Sequence, residues 1–494
     1  MNIDEKVGNK RFTVYDSEAD TVLELINELG SLTNDVCDSL DNKTDLFGDH
    51  KGSWQGLNRP TLSEEGMRAT VEDIIDNKIP TIQSSLDTIK NDKIKEVLVT
   101  DFDSWQDCHD YCKVNKKIMR IPKGTHILTT PLQVEGVTII GDGALNTLIK
   151  IECSDGFILN QYEEQKPVEI SGFSIVNYQG DYEKCGIRFA QDTTEKRSRG
   201  YKLDNLYFEN LGCAIELTDC FRVGITRINI NNCFRAIYIK GQVVQLTGSD
   251  ITSNCDILDS AISTRYIKSV GIELDGSTHS GVYQRPESIK FNNTSMVNHV
   301  NNLIVRDCLY GSFLQCDFDL SKKECIITLA YDGMLIIADS WIATKSTTQE
   351  PIVRIMNADN LYKKLVIRNN NISVLAGGHI DKGGIVLGYD TDTIGKKGVE
   401  IKGNTIQSFT TTKLKYGILA KNCVNPIISE NAITGSTVAD IFCQDLDGGV
   451  VSNNYIGTLN VVSNSSNKYV CTGNIGKLNI TGTAIRIRDF FTGA

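Results

Sequence analysis

From about residue 137 onward, the sequence consists of short runs in which Ile, Val and Leu alternate with other residues. Each run has four to six residues, and Asn, Asp or Gly separates it from the next one. No long amphipathic helix interrupts this pattern. Short strands that recur every 20 to 35 residues are typical of solenoids, in which successive coils stack on one another. The sequence therefore predicts a stack of β-coils over 137–494.

Two phrases recur along this stack, once in each predicted coil. The first is a small residue followed by Ile, as in CGIRF at 185–189, and the second is Asn, any residue, then Ile. The two sets of Ile residues are Ile187, Ile215, Ile237, Ile272, Ile385, Ile418 and Ile441 for the first phrase, and Ile372, Ile406, Ile433 and Ile456 for the second. Each coil then has at least two strands and two turns. Equivalent Ile side chains are expected to stack inside, with Asn at the corners.

Residues 101–136 precede the stack and are predicted to contain a short helix, at about 102–115, followed by entry strands. The open end of a β-solenoid exposes unpaired strand edges, which invite aggregation. The helix is therefore predicted to cap that end of the stack.

The N-terminal hundred residues have a helical pattern instead. Apolar residues at the 3-4 spacing of a coiled-coil seam occur twice, at Val22, Leu25, Leu29, Leu32 and Val36, and at Ile75, Ile79, Ile82, Leu86 and Ile89. Ile at both seam positions favours three strands over two. The sequence predicts a helical segment with a linker over 1–62 and a trimeric coiled-coil neck over 63–100. An intramolecular helical hairpin is the alternative.

Charge and hydropathy argue against several functions. The net charge is −11, and residues 1–100 contain 11 basic and 20 acidic residues against 40 and 42 in the remainder. A nucleic-acid-binding protein needs a basic face, so no nucleic-acid partner is expected. No apolar run reaches the length of a membrane span, so no membrane partner is expected. The polar start, MNIDEKVGNKRF, predicts no signal peptide.

The 15 cysteines are odd in number and lack the spacing of zinc ligands. They are predicted to be reduced thiols that pack as small apolar groups. The sequence also lacks a P-loop, a zinc-protease motif, a nucleophile elbow and a calcium loop. No metal and no cofactor is expected.

The entry segment resembles the start of pectate-lyase-type right-handed parallel β-helices. The matching residues are Ile121-Pro122-x-Gly124-x-His126-x-Leu128 and Ile140-Gly141-Asp142-Gly143. The whole plan, with an acidic N-terminal part, a linker containing Trp54 and Gly56, a coiled coil and then the β-coils, resembles the tailspikes or pre-neck appendages of short-tailed phages of Gram-positive hosts. The fold class implied is all-β, a right-handed single-stranded parallel β-helix preceded by a helical segment.

The resemblance also implies partners and a location. Such a protein is a homotrimer in the virion, made in the host cytoplasm and attached to tail or collar proteins through its N-terminal part, here 1–62. It binds host wall teichoic acid or capsular polysaccharide, and many relatives hydrolyse that polymer. Some relatives end in a cleaved trimerisation chaperone. The ending DFFTGA contains none, so we expect that it was never present or has been removed.

If four of the coils are consecutive, their outward residues form a column on one face, which we call the polar column. Its members are Arg188, Glu216, Thr218, Tyr238, Lys240, Glu273 and Asp275. Glu216 and Glu273 would lie two coils apart, about 9.6 Å at the backbone. Their side chains could then reach the roughly 6.5–9.5 Å separation of an inverting glycosidase.

The polar column therefore supplies candidate roles. Glu216, Glu273 and Asp275 are candidate catalytic carboxylates, one donating a proton and another activating water. Arg188 and Lys240 are candidates for holding a phosphate or a uronate, and Tyr238 for stacking on a sugar ring. The alternative is the ordinary polar face of a solvated strand.

Further candidates lie in turns and loops. The insertion at 275–290 contains His279, Tyr283 and Arg285, which are predicted to bind substrate because long loops on a rigid scaffold often do so. Asp339 and Trp341 occur together, an arrangement that suits carbohydrate stacking or packing against a trimer neighbour. The segment 178–201 contains a basic cluster at Lys196, Arg197 and Arg199, as an anion contact or a solvated turn.

Three functions remain open from sequence. The first is a tail appendage that hydrolyses a host surface glycopolymer, and the second is a non-catalytic adhesin on the same β-helix. The third is a bacterial polysaccharide lyase or hydrolase that is not tied to a virion. The acidic N-terminal segment argues against the third, because a free enzyme needs no anchor. The fold alone does not decide between the others.

Overall fold

The chain divides into two compact units, 1–95 and 96–494. The computed structural model describes residues 3–7, 10–14, 80 and 95–488, except 161–167, 180–181, 190–198, 219, 241–252, 259–260, 264–268, 280–281, 285, 307, 329–332, 345–349, 357–363, 376–382, 389–395, 410–413, 464–468 and 483–484. In the first unit, Ile3–Val7 and Lys10–Val14 form an antiparallel pair. The predicted coiled-coil seam from Val22 to Val36 and the predicted neck up to residue 94, apart from residue 80, lie outside the described residues.

The second unit is a coil of parallel strands that form three sheets. Sheet A contains Glu96–Leu98, Ile118–Ile121, Ile139–Gly141, the first halves of Val168–Val176 and Arg199–Glu209, Phe221–Thr226, Ser253–Leu258, Glu287–Asn292, Tyr310–Leu314, Met334–Ala338, Lys364–Arg368, Val399–Lys402, Ile427–Ser429, Val450–Ser452, Tyr469–Thr472 and Ile485–Arg488. The coils therefore begin at Glu96, inside the segment that the sequence assigns to the neck.

Sheet B follows sheet A in each coil. Its strands are Gly124–Leu128, Thr147–Ile151, the second halves of Val168–Val176 and Arg199–Glu209, Asn229–Asn231, Ala261–Ser263, Ser295–Val297, Asp317–Ser321, Trp341–Thr344, Asn371–Val374, Thr405–Ser408, Ala432–Ile433, and the starts of Tyr455–Ser463 and Ile475–Gly482.

Sheet C closes each coil. Its strands are Leu132–Val134, Asp155–Leu159, Cys185–Phe189, Cys213–Thr218, Arg235–Lys240, Val270–Asp275, Asn301–Val305, Ile326–Thr328, Val353–Ile355, Ile385–Leu387, Leu414–Lys421, Ser436–Gln444, and the ends of Tyr455–Ser463 and Ile475–Gly482. Two further pairs lie outside the three sheets, Ser277–His279 with Val282–Gln284 and Lys396–Lys397 with Cys423–Val424. This architecture is consistent with the right-handed parallel β-helix that the sequence predicts.

The predicted Ile stack is confirmed on sheet C. Ile187, Ile215, Ile237 and Ile272 are direct partners on successive strands, and all four are fully buried. Between Ile272 and Ile385 the stack continues through Leu303, Ile326 and Val353. These three coils do not appear in the sequence phrase, because Asn302, Cys325 and Ile352 precede these positions and Leu or Val replaces Ile at two of them.

Close approach of the coils explains the small residue at Gly186, just before Ile187. A Cβ atom at Gly186 would lie 2.7 Å from the carbonyl oxygen of Ala214 and 2.8 Å from the ring of Phe208. Alanine fills the equivalent place in the next two coils, where Ala214 and Ala236 are fully buried. The phrase at 185–189 therefore marks a place where neighbouring coils leave little room for a side chain.

The helix Trp105–Asn115 occupies the segment in which the sequence predicts one. The side chain of Ser104 accepts a hydrogen bond from the Asp107 amide at 3.1 Å, which caps the N-terminus, and Lys116 ends the helix with φ 53°. Cys108 and Cys112 are fully buried where the helix packs on the first strands of sheets A and C.

No helix among the described residues is long and apolar enough to span a bilayer.

Asparagines stabilise one corner of the stack from inside. Asn370, Asn404, Asn431, Asn454 and Asn474 occupy successive coils and are all buried. The Asn404 amide nitrogen donates to Ile367 O at 2.9 Å and to Asn431 Oδ1 at 3.0 Å, while its own Oδ1 accepts from the Asn370 amide groups at 3.0 Å. The ladder thus satisfies backbone groups that the corner leaves without strand partners.

We expect Asn404→Ala to lower the free energy of unfolding by about 3 kcal/mol, because it leaves donors on Asn370 and the Ile367 carbonyl unpaired in the interior. Chemical denaturation measures the loss. The matched control is Asn460→Ala on the outer surface, where the Asn460 side chain donates to Val438 O and accepts from Asn479 Nδ2, and the expected loss is about 1 kcal/mol or less. Equal losses in both variants would contradict a special role for the ladder.

Candidate functional site

The polar column is assembled as the sequence predicts, on four consecutive strands of sheet C. Arg188, Glu216, Tyr238 and Glu273 are direct partners from one strand to the next, and Thr218, Lys240 and Asp275 are partners two residues further on. The position held by Arg188, Glu216, Tyr238 and Glu273 is apolar in the coils on either side. Ile158 occupies it in the coil before Arg188, and Ile304 occupies it in the coil after Glu273. Polar residues therefore fill this position over four coils and apolar residues border it on both sides.

Glu273 is not the solvent-facing carboxylate that the sequence predicts. Its side chain is only 2% exposed. Its two oxygens lie 2.8 Å from Arg235 Nε and 2.6 Å from Arg306 Nε. Arg235 comes from the preceding coil and Arg306 from just after the following strand, so guanidinium groups cover the carboxylate from both sides. A buried carboxylate requires such pairing, because an unpaired charge there costs several kcal/mol.

Glu216 also forms ion pairs with two cationic side chains. Arg188 Nη2 lies 3.5 Å from one of its oxygens and Lys240 Nζ 3.2 Å from the other. Thr218 Oγ1 donates to Glu216 at 3.3 Å. Arg188 also contacts Asp155 Oδ1 at 3.1 Å, one coil earlier. A ligand hydroxyl that approaches Glu216 must therefore compete with cations that already neutralise it.

Tyr238 is held in place by the neighbouring coil. Its phenol donates to Asp275 Oδ2 at 2.7 Å. Burial, together with this hydrogen bond, raises the pKa of Tyr238. The Arg235 guanidinium lies 4.5 Å from the centre of the ring, and Lys240 Nζ lies 5.6 Å from it. A sugar that stacks on Tyr238 shares the ring with these cations.

Arg235, Arg306 and Asp155 belong to this site, and the sequence analysis did not select them. Arg235 opens the RAIYI phrase, two residues before the counted Ile, so its proximity to the column was visible in the pattern. Arg306 reaches Glu273 across 33 residues, and nothing in the sequence marks that contact. With Arg188, Glu216, Lys240, Glu273 and Asp275, the three residues make a face with four cations and four carboxylates.

A second acidic group, also missed, lies on sheet B. Asp317 and Asp319 occur on one strand, in the phrase DFD. Ser295 Oγ donates to Asp317 at 3.0 Å, and burial raises the pKa of Asp317. Asp319 accepts from the Trp341 indole at 3.4 Å. A register shift follows Phe318, where Leu320 has φ 54°, and such bulges often lie next to functional sites.

Of the remaining sequence candidates, Trp341 joins the group on sheet B and Asp339 joins neither group. Asp339 is exposed and accepts a hydrogen bond from the Asn369 side chain at 3.1 Å. The Trp341 indole donates to Asp319 rather than to Asp339. His279 and Tyr283 lie on the antiparallel pair after Asp275, and their side chains are outside the described residues. Arg285, Lys196 and Arg197 are outside them too, and Arg199 begins a strand that runs through sheets A and B.

The thiols of Cys185 and Cys213 lie beside the polar column, close to Glu216. Cys185 and Cys213 are direct partners on neighbouring strands, and both are free. The two sulfur atoms and a carboxylate oxygen of Glu216 lie within 4.8 Å of one another. A hydrogen bond from Cys185, together with burial, raises the pKa of the Cys213 thiol. These three residues are of the types that ligate soft or borderline metals.

No protein-family model matches the sequence, and no curated protein matches it. Several solved structures are similar. The surface adhesin PfbA of Streptococcus pneumoniae is 12% identical, with a TM-score of 0.45 over 79% of this chain and 99% of that one. The Agl-KA catalytic domain is 14% identical, with a TM-score of 0.45 over 80% and 68%. The A-module of the Azotobacter vinelandii mannuronan C-5 epimerase AlgE4 is 10% identical, with a TM-score of 0.43 over 79% and 99%. Similarity at this level carries no argument about activity.

The raised pKa of Asp317 predicts a pH-dependent effect on stability. A carboxyl group whose pKa is higher in the folded than in the unfolded chain stabilises the fold only when it is protonated. Ionised Asp317 therefore costs stability at neutral pH, and Asp317→Asn should raise the melting temperature there. The gain should shrink as the pH falls towards the ordinary Asp value of 3.8. Thermal unfolding at several pH values tests this, and a gain that grows on acidification would contradict it.

Proposed function

We propose that this protein binds a glycopolymer of a bacterial cell surface through the sheet C face, as a trimeric tail appendage of a phage. The polymer is wall teichoic acid or capsular polysaccharide, and the N-terminal segment 1–62 attaches the trimer to tail or collar proteins of the virion. The observation that carries the binding proposal is the charged face on four consecutive coils, bordered by Ile158 and Ile304.

The charges of this face suit a polymer with hydroxyl and phosphate groups. Four cations and four carboxylates lie next to one another, so the face has no net charge and differs from the basic face that nucleic acids require. Arginine can bind a phosphate or a carboxylate through two hydrogen bonds. Carboxylates can accept hydrogen bonds from sugar hydroxyl groups. The strands lie about 4.8 Å apart, so four coils span roughly 14 Å, the length of a few sugar units.

Cleavage of the polymer is the second candidate function, and the acid pair on sheet B favours it. Burial raises the pKa of Asp317, whereas Asp319 accepts hydrogen bonds from the Trp341 indole and, at 2.9 Å, from the Leu320 amide. Two carboxyl groups in unlike environments are what acid and base catalysis requires. Glu216 and Glu273, each already paired with two cations, are less available for that chemistry. Trp341 offers a surface for a sugar ring.

Incubation of the purified chain with cell walls or extracted wall polymer tests binding. We expect Arg188→Gln combined with Lys240→Gln to weaken binding tenfold or more, since charge-assisted hydrogen bonds contribute about 1.5–3 kcal/mol each. The matched control is Lys202→Gln on sheet A, which removes an exposed ion pair with Glu169 and should leave binding unchanged. Equal binding by all three proteins would contradict a role for the sheet C face.

Soluble phosphate or sugar fragments, measured in the same incubation, test cleavage. Fragment release that disappears in Asp317→Asn and Asp319→Asn, but persists in Glu216→Gln, Glu273→Gln and Asp275→Asn, would locate the chemistry on sheet B. The reverse pattern would locate it in the polar column. Binding without any release would make the protein an adhesin. Neither binding nor release on walls of any Gram-positive host would contradict the proposed function as a whole.

A further inference from the structure

The contact between Cys185, Cys213 and Glu216 is unusual in this molecule. Cys185 and Cys213 face each other on neighbouring strands, and Glu216 lies three residues after Cys213. Among the residues that the structure describes, these form the one group of three or more potential metal ligands whose ligand atoms all lie within 4.8 Å. The ligands come from two successive coils, so the rigid register of sheet C fixes their positions.

Each of the two thiols also contacts a backbone carbonyl of its own strand. Cys185 Sγ lies 3.5 Å from Ile187 O, and Cys213 Sγ lies 3.4 Å from Ile215 O. Thiols donate and accept hydrogen bonds weakly, so neither these contacts nor the hydrogen bond between the two thiols prevents the sulfur atoms from binding a metal ion.

The charges around the group suit a divalent cation. Asp155 lies opposite Cys185, one coil earlier. Arg188 contacts both Asp155 and Glu216, and Lys240 contacts Glu216. With both thiols protonated, the two carboxylates balance the two cationic side chains. A divalent cation that binds both sulfur atoms displaces the two thiol protons, so the net charge of the group does not change.

We infer that Cys185, Cys213 and Glu216 form a binding site for zinc or another thiophilic divalent cation. Zinc binds thiolates at about 2.3 Å, so two sulfur ligands of a tetrahedral site lie roughly 3.8 Å apart. Ligand atoms within 4.8 Å of one another reach that geometry through small side-chain movements. A water molecule supplies the fourth ligand. The metal ties two coils together and engages Glu216, which then is no longer free to contact a glycan.

Metal analysis of the full chain tests this inference without any polymer, so its outcome is independent of the proposed function. After loading with zinc and desalting, we expect one equivalent of retained zinc per chain. With cobalt as the probe, we expect the visible absorption of a tetrahedral site and a thiolate charge-transfer band. Both signals should disappear in a Cys185→Ala, Cys213→Ala double variant and weaken in Glu216→Gln, whose carboxylate ligand is replaced by an amide.

The matched control is a Cys443→Ala, Cys471→Ala double variant, which removes two fully buried cysteines of the C-terminal coils. It should keep the metal and both absorption bands.

Signals that persist in the Cys185, Cys213 double variant would overturn the inference, as would the absence of retained metal in the unmodified chain. An intact mass showing a disulfide between Cys185 and Cys213 in freshly reduced and desalted protein would overturn it as well. If the double variant fails to fold, the cobalt spectra of the unmodified chain and of Glu216→Gln decide the matter.

Discussion

The molecule depends on the backbone hydrogen bonds that join each coil to the next in parallel register. They place each residue directly beside its counterpart in the following coil, about 4.8 Å away. On the inner side, the register produces continuous buried stacks such as Ile187, Ile215 and Ile237. On the outer side, the same register turns separate stretches of sequence into columns. A functional face of this protein is therefore a repeated position, and a change in one coil alters the contacts of its two neighbours.

Electrostatics then determines which columns are stable. Like charges one coil apart repel each other, whereas opposite charges attract. Arg188 lies beside Glu216, and Tyr238 separates Glu216 from Glu273. Glu273 can be buried because Arg235 and Arg306 both reach it. The ion pairs that make this face compatible with folding are the same contacts that a phosphate or a hydroxyl group must replace or share, which links its stability to its selectivity.

The sequence predicts the structural features that repeat from coil to coil. It does not predict side-chain contacts that occur only once. The Ile phrase predicted the coil, the inward set and the four-strand polar column, because each follows from period and alternation. It missed the coils at Leu303, Ile326 and Val353, where the phrase changes. It could not predict that Arg306 covers Glu273, since that contact depends on where the chain leaves a strand. The Asp317 and Asp319 pair was missed because the burial of Asp317 and the hydrogen bond from Trp341 to Asp319 depend on contacts between coils that no repeated phrase marks.

The central claim, that the sheet C face holds the glycopolymer, is tested most directly by hydroxyl-radical footprinting with and without bound wall polymer. Tyr238 lies in the polar column, and Tyr455 lies on sheet B in the C-terminal coils, where it is 63% exposed. The account predicts that polymer lowers the oxidation rate of Tyr238 and leaves that of Tyr455 unchanged. Protection of Tyr455 with no change at Tyr238 would contradict it and would place the polymer on another face of the β-helix.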